Sequence, residues 1–284
     1  MLELYHKTSF ETSRLITKNY STSFSLGIKL FKPELREPIY NIYGFVRIAD
    51  EIVDTFHDYD KAALMKRFRE DTFEAIKTGL STNPVLHSFQ KTVREYSIDL
   101  SLVDNFLISM EMDLTENYYN TSDYKKYIYG SAEVVGLMCL TVFTKGNKNR
   151  FDILKPFAQN LGSAFQKVNF LRDLQSDINE RNRIYLPDIQ KIIDVNDFNK
   201  QKFEEEIAAE FSLALIGIKK LPKSSRFGVY MAYIYYLTLF NKLRKSSIDG
   251  ILKKRIRISN FTKLLLLVKS FFQIKFAKNE YVLE

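Results

Sequence analysis

The sequence predicts an all-α protein. Helix breakers are scarce, with 10 Gly and 6 Pro among 284 residues, so the chain has few points at which a helix must stop. Amphipathic stretches with helical periodicity follow one another, and no series of alternating strands interrupts them. A hydrophobic content of 45% with 27% charged residues indicates a sizeable core. Without a repeat or linker, we expect residues 1–284 to form a single large helical bundle.

Local signals define the helices in order along the chain. The hydroxyl-rich segment 20–23 suits a helix cap or a loop. Pro33 can occupy the first turn of a helix that continues to Asp54, because the first turn leaves its N–H groups unbonded. Pro84 begins a helix that ends near Tyr96, and further helices are predicted over residues 61–78, 101–114, 124–143, 151–179, 203–219, 226–243 and 261–276.

Composition limits the classes of function without selecting one. The net charge of +8 suits nucleic acid, an anionic membrane surface or a phosphorylated substrate. Cys139 is the single cysteine, which excludes an intrachain disulfide and a cysteine-based zinc site. The first residues lack the pattern of a signal peptide, and the aliphatic run at 264–268 is too short to span a bilayer. We therefore expect a cytoplasmic protein.

An acidic stripe lies on an otherwise apolar helix in the segment 39–56. Tyr43, Arg47, Asp50 and Asp54 follow at spacings of four, three and four residues, which places them on one helix face. A helix that is apolar nearly all round is buried. Buried carboxylates one turn apart repel each other and lose hydration, so a positive partner must meet them. Arg47 is one candidate for that partner, and a divalent metal is another.

A second stripe repeats this arrangement in the segment 161–187. Gln166, Asn169, Asp173 and Asp177 follow at spacings of three, four and four residues. Carboxylate and amide oxygens are hard ligands that suit magnesium, which completes its shell with water and phosphate oxygens. Zinc fits poorly because neither stripe contains His or Cys. Together the stripes indicate diphosphate and magnesium between two helices, and they are not specific to one reaction.

Five motifs follow in order along the chain: YSTSF at 20–24, RIADEIVD at 47–54, YIYGSA at 127–132, QKVNFLRDLQSD at 166–177 and RIYLP at 183–187. At these residues the sequence resembles the squalene/phytoene synthase family, most closely its bacterial phytoene synthases, over most of the chain. Two positions depart from the family pattern: Glu133 stands where the family usually has Gly, and Ser176 stands where the second aspartate motif often has an acid.

The resemblance implies a fold, a cofactor and roles for residues. The fold would be a helical bundle of the isoprenoid synthase type with a central cavity, and the metal would be Mg²⁺, with Mn²⁺ as an alternative. The metal ligands would be Asp50, Asp54, Asn169, Asp173 and Asp177. Substrate would contact Ser21, Ser23, Phe24, Arg47, Gln166, Asn169 and Arg172, while Tyr127 and Tyr129 would face the cavity and join the four aspartates as catalytic residues.

The implied reaction is head-to-head condensation of two isoprenoid diphosphates through a cyclopropyl diphosphate. A phytoene synthase would use geranylgeranyl diphosphate and finish by proton loss. The alternative is squalene or dehydrosqualene synthesis from farnesyl diphosphate, with NADPH needed only for squalene. The absence of a Gly-rich dinucleotide fingerprint favours the phytoene reaction. A non-catalytic basic protein that binds nucleic acid is a remote alternative, although no nucleic-acid motif is present. An ordinary terpene cyclase would have a denser aspartate run.

Simpler interpretations stand beside several of these assignments. Arg47 is equally suited to a structural salt bridge with Asp50. Tyr127 and Tyr129 are equally suited to ordinary packing, and Ser21 and Ser23 suit a helix cap. Asp113 in SMEMDL is another candidate for a cavity acid, but a surface acid is the favoured interpretation. A basic cluster at 253–257 precedes the last helix, whose lysines suit either a solvated bundle helix or peripheral docking on a membrane surface. The oligomeric state is not predicted.

Overall fold

The computed structural model describes residues 1–116, 118–181, 183–187, 189 and 196–276, with the backbone alone for 271–276. Throughout these residues the regular elements are helices, and the sole β-type pairing among them is an isolated bridge between Tyr118 and Ile184. The all-α prediction is confirmed. In chain order the helices are α1 (Leu2–Tyr20), α2 (Thr22–Lys29), α3 (Pro33–Asp54), α4 (Lys61–Thr78), α5 (Pro84–Tyr96), α6 (Leu100–Thr115), α7 (Thr121–Ile128), α8 (Val134–Phe143), α9 (Lys148–Arg181), α10 (Asp197–Lys220), α11 (Lys223–Arg244), α12 (Ile248–Lys253) and α13 (Asn260–Phe276).

Helices with clear capping signals have the predicted bounds. Helices α3, α4 and α5 begin and end at the predicted residues. Pro33 and Pro84 lie in the first turns of their helices, and Asn83 caps α5 by accepting from two backbone N–H groups. The start of α9 lies three residues before the predicted one, a difference typical of helix ends.

The sequence analysis missed α1 because the buried face of this helix is hydroxylic. Ser9, Ser13 and Thr17 follow at spacings of four residues and are fully buried. Their small side chains allow close packing: Ser13 Oγ lies 2.7 Å from Ser88 Oγ, and a Cβ on Gly44 of α3 would lie 2.7 Å from the same atom. An apolar-periodicity criterion does not detect such a face.

Helix α3 runs through the core, and α9 lies across the bundle from it. Phe45 of α3 is fully buried and stacks on Phe89 of α5 with ring centroids 3.9 Å apart. Helix α3 contacts α1, α5, α6 and α8, whereas α9 contacts α8, α10 and α11. Both helices that carry an acidic stripe are therefore held by neighbours on several sides.

The predicted helix over 124–143 contains a π-helical segment, Tyr129–Glu133, between α7 and α8. The chain passes close to α6 there, since a Cβ on Gly130 would lie 2.5 Å from the carbonyl oxygen of Asn105. Glu133 is accommodated at the end of this segment, where it accepts a 2.7 Å hydrogen bond from Gln159 of α9. The residue that departs from the family pattern thus links two helices.

None of the helices in the described ranges is long and apolar enough to cross a bilayer. The basic cluster at 253–257 covers the end of α12 and the loop before α13. Residues 277–284, which complete the C-terminal segment considered above, lie outside the described residues.

Candidate active site

A central cavity of about 710 Å³ lies between α2, α3, α8, α9, α10 and α11. Aspartates line it at the C-terminal ends of α3 and α9, and apolar side chains line it along the preceding turns of both helices. The predicted central cavity is present. An apolar chamber with charged groups at one end suits a ligand that has a polar head and a hydrocarbon tail.

Asp50 and Asp54 of α3 both line this cavity. Asp50 lies 3.8 Å from Arg47, whose guanidinium is bound more closely by Glu51. Burial raises the pKa of Asp50 to about 7, Arg47 opposes the shift, and the negative charges of Asp54 and Asp113 add to it. The charged form of Asp50 is therefore incompletely compensated by the cations around it.

Asp173 and Asp177 of α9 line the same cavity. Arg172 and Arg255 both bind Asp173, the latter with Nε 2.7 Å from Oδ1. Asp177 is 7% exposed, and burial together with the charge of Asp173 raises its pKa to about 7.

Arg181 joins the acidic stripes of the two helices. Its Nη1 lies 2.9 Å from Asp177 Oδ1, and its Nε lies 3.5 Å from Asp54 Oδ1. A guanidinium can bind both carboxylates only if they face each other. The stripes, which are separate in the sequence, therefore meet across the mouth of the cavity.

These side chains fit a hard divalent cation once a substrate contributes further ligands. Within the described residues, no three His, Cys, Asp or Glu side chains form a ready-made metal cluster. The pKa values of Asp50 and Asp177, raised chiefly by burial, nevertheless show that the charged forms lack a full set of counter-charges. Magnesium commonly binds through a few carboxylates and substrate phosphates rather than in an all-protein cage. Asp54, Asn169 and Asp173 supply further oxygens on the same wall.

The predicted substrate-contacting residues of α3 and α9 also lie on the wall. Arg47, Gln166, Asn169 and Arg172 line the cavity. Tyr236 of α11 donates to Asn169 Oδ1 over 3.3 Å, which orients the amide. The guanidinium carbon of Arg47 lies 4.3 Å from the ring centroid of Tyr20, so an aromatic face supports this cation.

The hydroxyl-rich segment places Ser21 and Phe24 on the cavity wall but not Ser23. Ser21 caps α2, where its hydroxyl accepts from the backbone N–H of Phe24 over 3.2 Å. Phe24 stacks on Tyr43 with ring centroids 4.8 Å apart. Ser21 precedes α2 and has an extended backbone, whereas Ser23 lies within the helix, so the two serines do not share the wall.

Helical spacing separates Tyr127 from Tyr129, because residues two positions apart on a helix point to nearly opposite sides. Tyr127 is buried and lines the cavity, whereas Tyr129 is absent from its lining and half-buried. Burial and the charges of Glu133 and Asp99 raise the pKa of Tyr129, and neither of these acids lines the cavity. The expectation that Tyr129 faces the cavity is therefore wrong in this structure.

The expectation that Asp113 is a surface acid is also wrong. Asp113 of α6 is 7% exposed and lines the cavity. It accepts hydrogen bonds from the hydroxyls of Tyr119, Tyr127 and Tyr185 at 3.1, 2.8 and 2.8 Å. Burial raises its pKa to about 6, although Arg183 and the hydroxyls of Tyr127 and Tyr185 oppose the shift. The sequence signal for a buried Asp113 was the apolar residues beside it in SMEMDL, because an acid on a buried helix requires partners.

Arg183 connects this buried cluster to the acidic mouth. Its Nη1 lies 2.9 Å from Asp54 Oδ1 and 3.7 Å from Asp113 Oδ1. Its Nη2 donates to the carbonyl oxygens of Val53 and Asp113 at 3.3 and 2.7 Å. We define Asp113, Tyr119, Tyr127, Arg183 and Tyr185 as the Asp113 cluster. This cluster fixes the loop that follows α9 against α3 and α6.

Comparison with known proteins gives consistent matches over most of the chain. Residues 17–190 match the family model described as squalene/phytoene synthase. The phytoene synthase of Arthrospira platensis is 29% identical over 287 residues, which cover 91% of this chain and 91% of that relative. The chloroplastic phytoene synthase 1 of Solanum lycopersicum is 26% identical over 89% of this chain, which spans 65% of that relative.

The fold is that of solved isoprenoid synthases. A dehydrosqualene synthase crystallised with a ligand superposes with a TM-score of 0.82 at 20% sequence identity, covering 95% of this chain and 98% of that one. This superposition confirms the predicted fold type, a helical bundle of the isoprenoid synthase type.

Proposed function

The chain belongs to the squalene/phytoene synthase family, and on this premise we propose that it condenses two molecules of geranylgeranyl diphosphate head to head to form phytoene. The members of this family are prenyltransferases. Membership therefore favours an enzyme over the nucleic-acid-binding protein that the net charge also allowed. The phytoene synthase names of the relatives support the choice of product.

One structural observation carries the proposal. Aspartates on α3 and α9 face each other across the mouth of a largely apolar cavity. The mouth suits the diphosphate head groups with magnesium, and the chamber suits the hydrocarbon chains. Aromatic side chains such as Phe24, Tyr127 and Phe165 line the chamber, where ring faces stabilise carbocations and apolar walls exclude water.

The proposed roles follow from these positions. Asp50, Asp54, Asn169, Asp173 and Asp177 hold magnesium, which when bound supplies the positive charge that stabilises a departing diphosphate. Arg47 and Arg172 offer guanidinium forks to diphosphate oxygens.

In the first step of the proposed reaction, the allylic carbon–oxygen bond breaks and its electron pair leaves with the diphosphate. The double bond of the second substrate attacks the resulting cation, and loss of a proton closes the cyclopropyl diphosphate. Ionisation of this intermediate, rearrangement and loss of a second proton give the linear product. Tyr127 contributes its ring to the cavity wall, while its hydroxyl remains bound to Asp113.

Product analysis tests the function. We would incubate the purified chain with Mg²⁺ and either geranylgeranyl or farnesyl diphosphate, each with and without NADPH. Phytoene from the C20 substrate supports the proposal. Squalene or dehydrosqualene from the C15 substrate alone would move the chain to the other branch of the family, and no hydrocarbon from either substrate would contradict the proposal.

We further propose that α13 rests on an anionic membrane surface. Phe261, Leu264, Leu265 and Val268 form a stripe at helical spacing, yet they are 70%, 58%, 52% and 46% exposed. Lys253, Lys254 and Arg257 are exposed in the segment that precedes the stripe. An apolar helix face beside cations is the arrangement that binds anionic lipid surfaces, and such a site would let a hydrocarbon product leave into lipid.

A further inference from the structure

Arg255 differs from the other cations of the basic cluster. It lies in the loop between α12 and α13, and its side chain is 47% exposed. It nevertheless lines the cavity mouth, where its Nε lies 2.7 Å from Asp173 Oδ1. Lys253, Lys254 and Arg257 are exposed and do not line the cavity. The cluster therefore contains one cation that points into the site.

Positive charge is distributed unevenly over the acids of the mouth. Asp173 already has the guanidinium of Arg172, which binds both of its carboxylate oxygens. Arg255 is thus a second cation on the same carboxylate. Asp50, in contrast, has its nearest guanidinium at 3.8 Å, and that guanidinium pairs with Glu51.

The two cations on Asp173 are held differently. Arg172 lies within α9 with a side chain that is 21% exposed, beside the acid in sequence. Arg255 comes from a loop and is half exposed, so its ion pair is the weaker and the more easily exchanged of the two. A half-exposed guanidinium at the mouth can rotate from the carboxylate to an incoming anion without moving a helix.

We propose that Arg255 is a displaceable counter-ion that binds Asp173 in the ligand-free chain and transfers to a substrate diphosphate when a divalent cation takes its place. This inference rests on the proposed function, because it needs a metal-bound diphosphate at the mouth. Diphosphate oxygens are better partners for a guanidinium fork than one shared carboxylate.

The exchange has a measurable consequence for the order of binding. A metal ion alone must displace Arg255 from Asp173 and leave it without a partner. A metal ion that arrives with diphosphate gives Arg255 a new partner. Arg255 therefore weakens binding of the metal alone and strengthens binding of metal with diphosphate. A residue that only stabilises the loop would not change these two affinities in opposite directions.

Binding of Mn²⁺, followed by electron paramagnetic resonance with and without inorganic pyrophosphate, tests this inference without turnover. For Arg255→Gln we expect tighter binding of Mn²⁺ alone, and a loss of about tenfold in the tightening that pyrophosphate produces. Arg257→Gln is the matched control, since it removes an exposed cation two residues away, and it should leave both affinities unchanged.

Other outcomes overturn the inference. Equal behaviour of the two variants would show that only overall charge matters, and weaker Mn²⁺ binding without pyrophosphate in Arg255→Gln would reverse the predicted sign. Arg255→Lys keeps the charge without the fork and should fall between wild type and Arg255→Gln, which guards against a folding defect in the glutamine variant. If the wild-type chain shows no pyrophosphate-dependent binding, the proposed function fails as well. If the wild type shows such binding and Arg255→Gln binds Mn²⁺ as the wild type does, the inference alone fails.

Discussion

Arg183 donates to Asp54 with Nη1 2.9 Å from Oδ1, although the two residues are 129 positions apart in the sequence. The same guanidinium donates to the backbone carbonyls of Val53 and Asp113. An acid of the first stripe is thus oriented by the segment that follows the second. The geometry of the site therefore depends on the Asp113 cluster.

The carboxylates at the mouth should be indispensable for turnover. Asp50→Asn and Asp173→Asn retain the side-chain shape but remove the charge that holds a divalent cation, so we expect at least about a hundredfold loss of product formation. Product formation from labelled substrate measures the effect. Asp58→Asn and Asp152→Asn, which alter exposed acids, should retain wild-type rates, and near-wild-type turnover in either mouth variant would remove that residue from the proposed metal site.

Asp113 should contribute strongly to stability. Asp113→Asn leaves Asp54 as the single carboxylate beside Arg183 and weakens the acceptor of three buried tyrosine hydroxyls, and breaking a buried pair costs about 3 kcal/mol. Denaturant-induced unfolding measures the loss. Asp104→Asn on the same helix breaks an ion pair in which the acid is 40% exposed, so its effect should be within about 0.5 kcal/mol. Equal losses in the two variants would contradict the structural role of the Asp113 cluster.

The ligand-free chain should lose stability as the pH rises towards neutrality. Asp177 has a pKa of about 7 when folded and 3.8 as its ordinary value. Between these values the folded state binds more protons than the unfolded state, so this contribution to stability falls as the pH rises from about 4 to about 7 and is constant above. Each pKa unit corresponds to roughly 1.4 kcal/mol.

Unfolding free energies at pH 5 and pH 8 check this dependence. Asp177→Asn should show a smaller difference between the two pH values than the wild type, because the amide does not titrate. Added Mg²⁺ with pyrophosphate should reduce the wild-type difference, since a bound cation favours the ionised carboxylate. An unchanged difference in Asp177→Asn would mean that Asp177 does not titrate in this range.

The exposed stripe of α13 should determine membrane binding. Leu264→Glu combined with Leu265→Glu removes apolar area from the stripe and adds negative charge, so we expect partitioning onto anionic vesicles to fall by about tenfold or more. Co-sedimentation measures the bound fraction. Leu213→Glu with Ile216→Glu is a matched control, because these residues of α10 are 45% and 44% exposed. Equal sedimentation of both double variants would reject α13 as the contact surface.

The sequence was sufficient for features that depend on local chemistry. Spacing alone placed Asp50 with Asp54, and Asp173 with Asp177, on single helix faces. The prolines predicted the starts of α3 and α5, and the amphipathic pattern predicted the range of α4. Such features follow from helix geometry, which repeats every few residues. The family resemblance added the fold type and the nature of the reaction.

Local patterns were not sufficient where packing partners are distant. The helix α1 escaped detection because its buried face carries Ser9, Ser13 and Thr17, which are small enough to meet Ser88 and Gly44 closely. Asp113 was expected at the surface because its partners Tyr185 and Arg183 lie about seventy positions away. Tyr129 was assigned to the cavity by its motif, whereas the helix turns it to the other side.

By itself, the sequence determined the helices with an apolar period, though not α1, α2 or α12, and it determined which faces of α3 and α9 carry acids. Both are consequences of spacing along one chain. Tertiary structure alone decided that these faces meet, that Arg181 and Arg183 lie among their carboxylates, and that Arg255 reaches Asp173 from the loop before α13. The physical reason is that charge interactions depend on distance in space and on exclusion of water, and both are set only when the bundle closes.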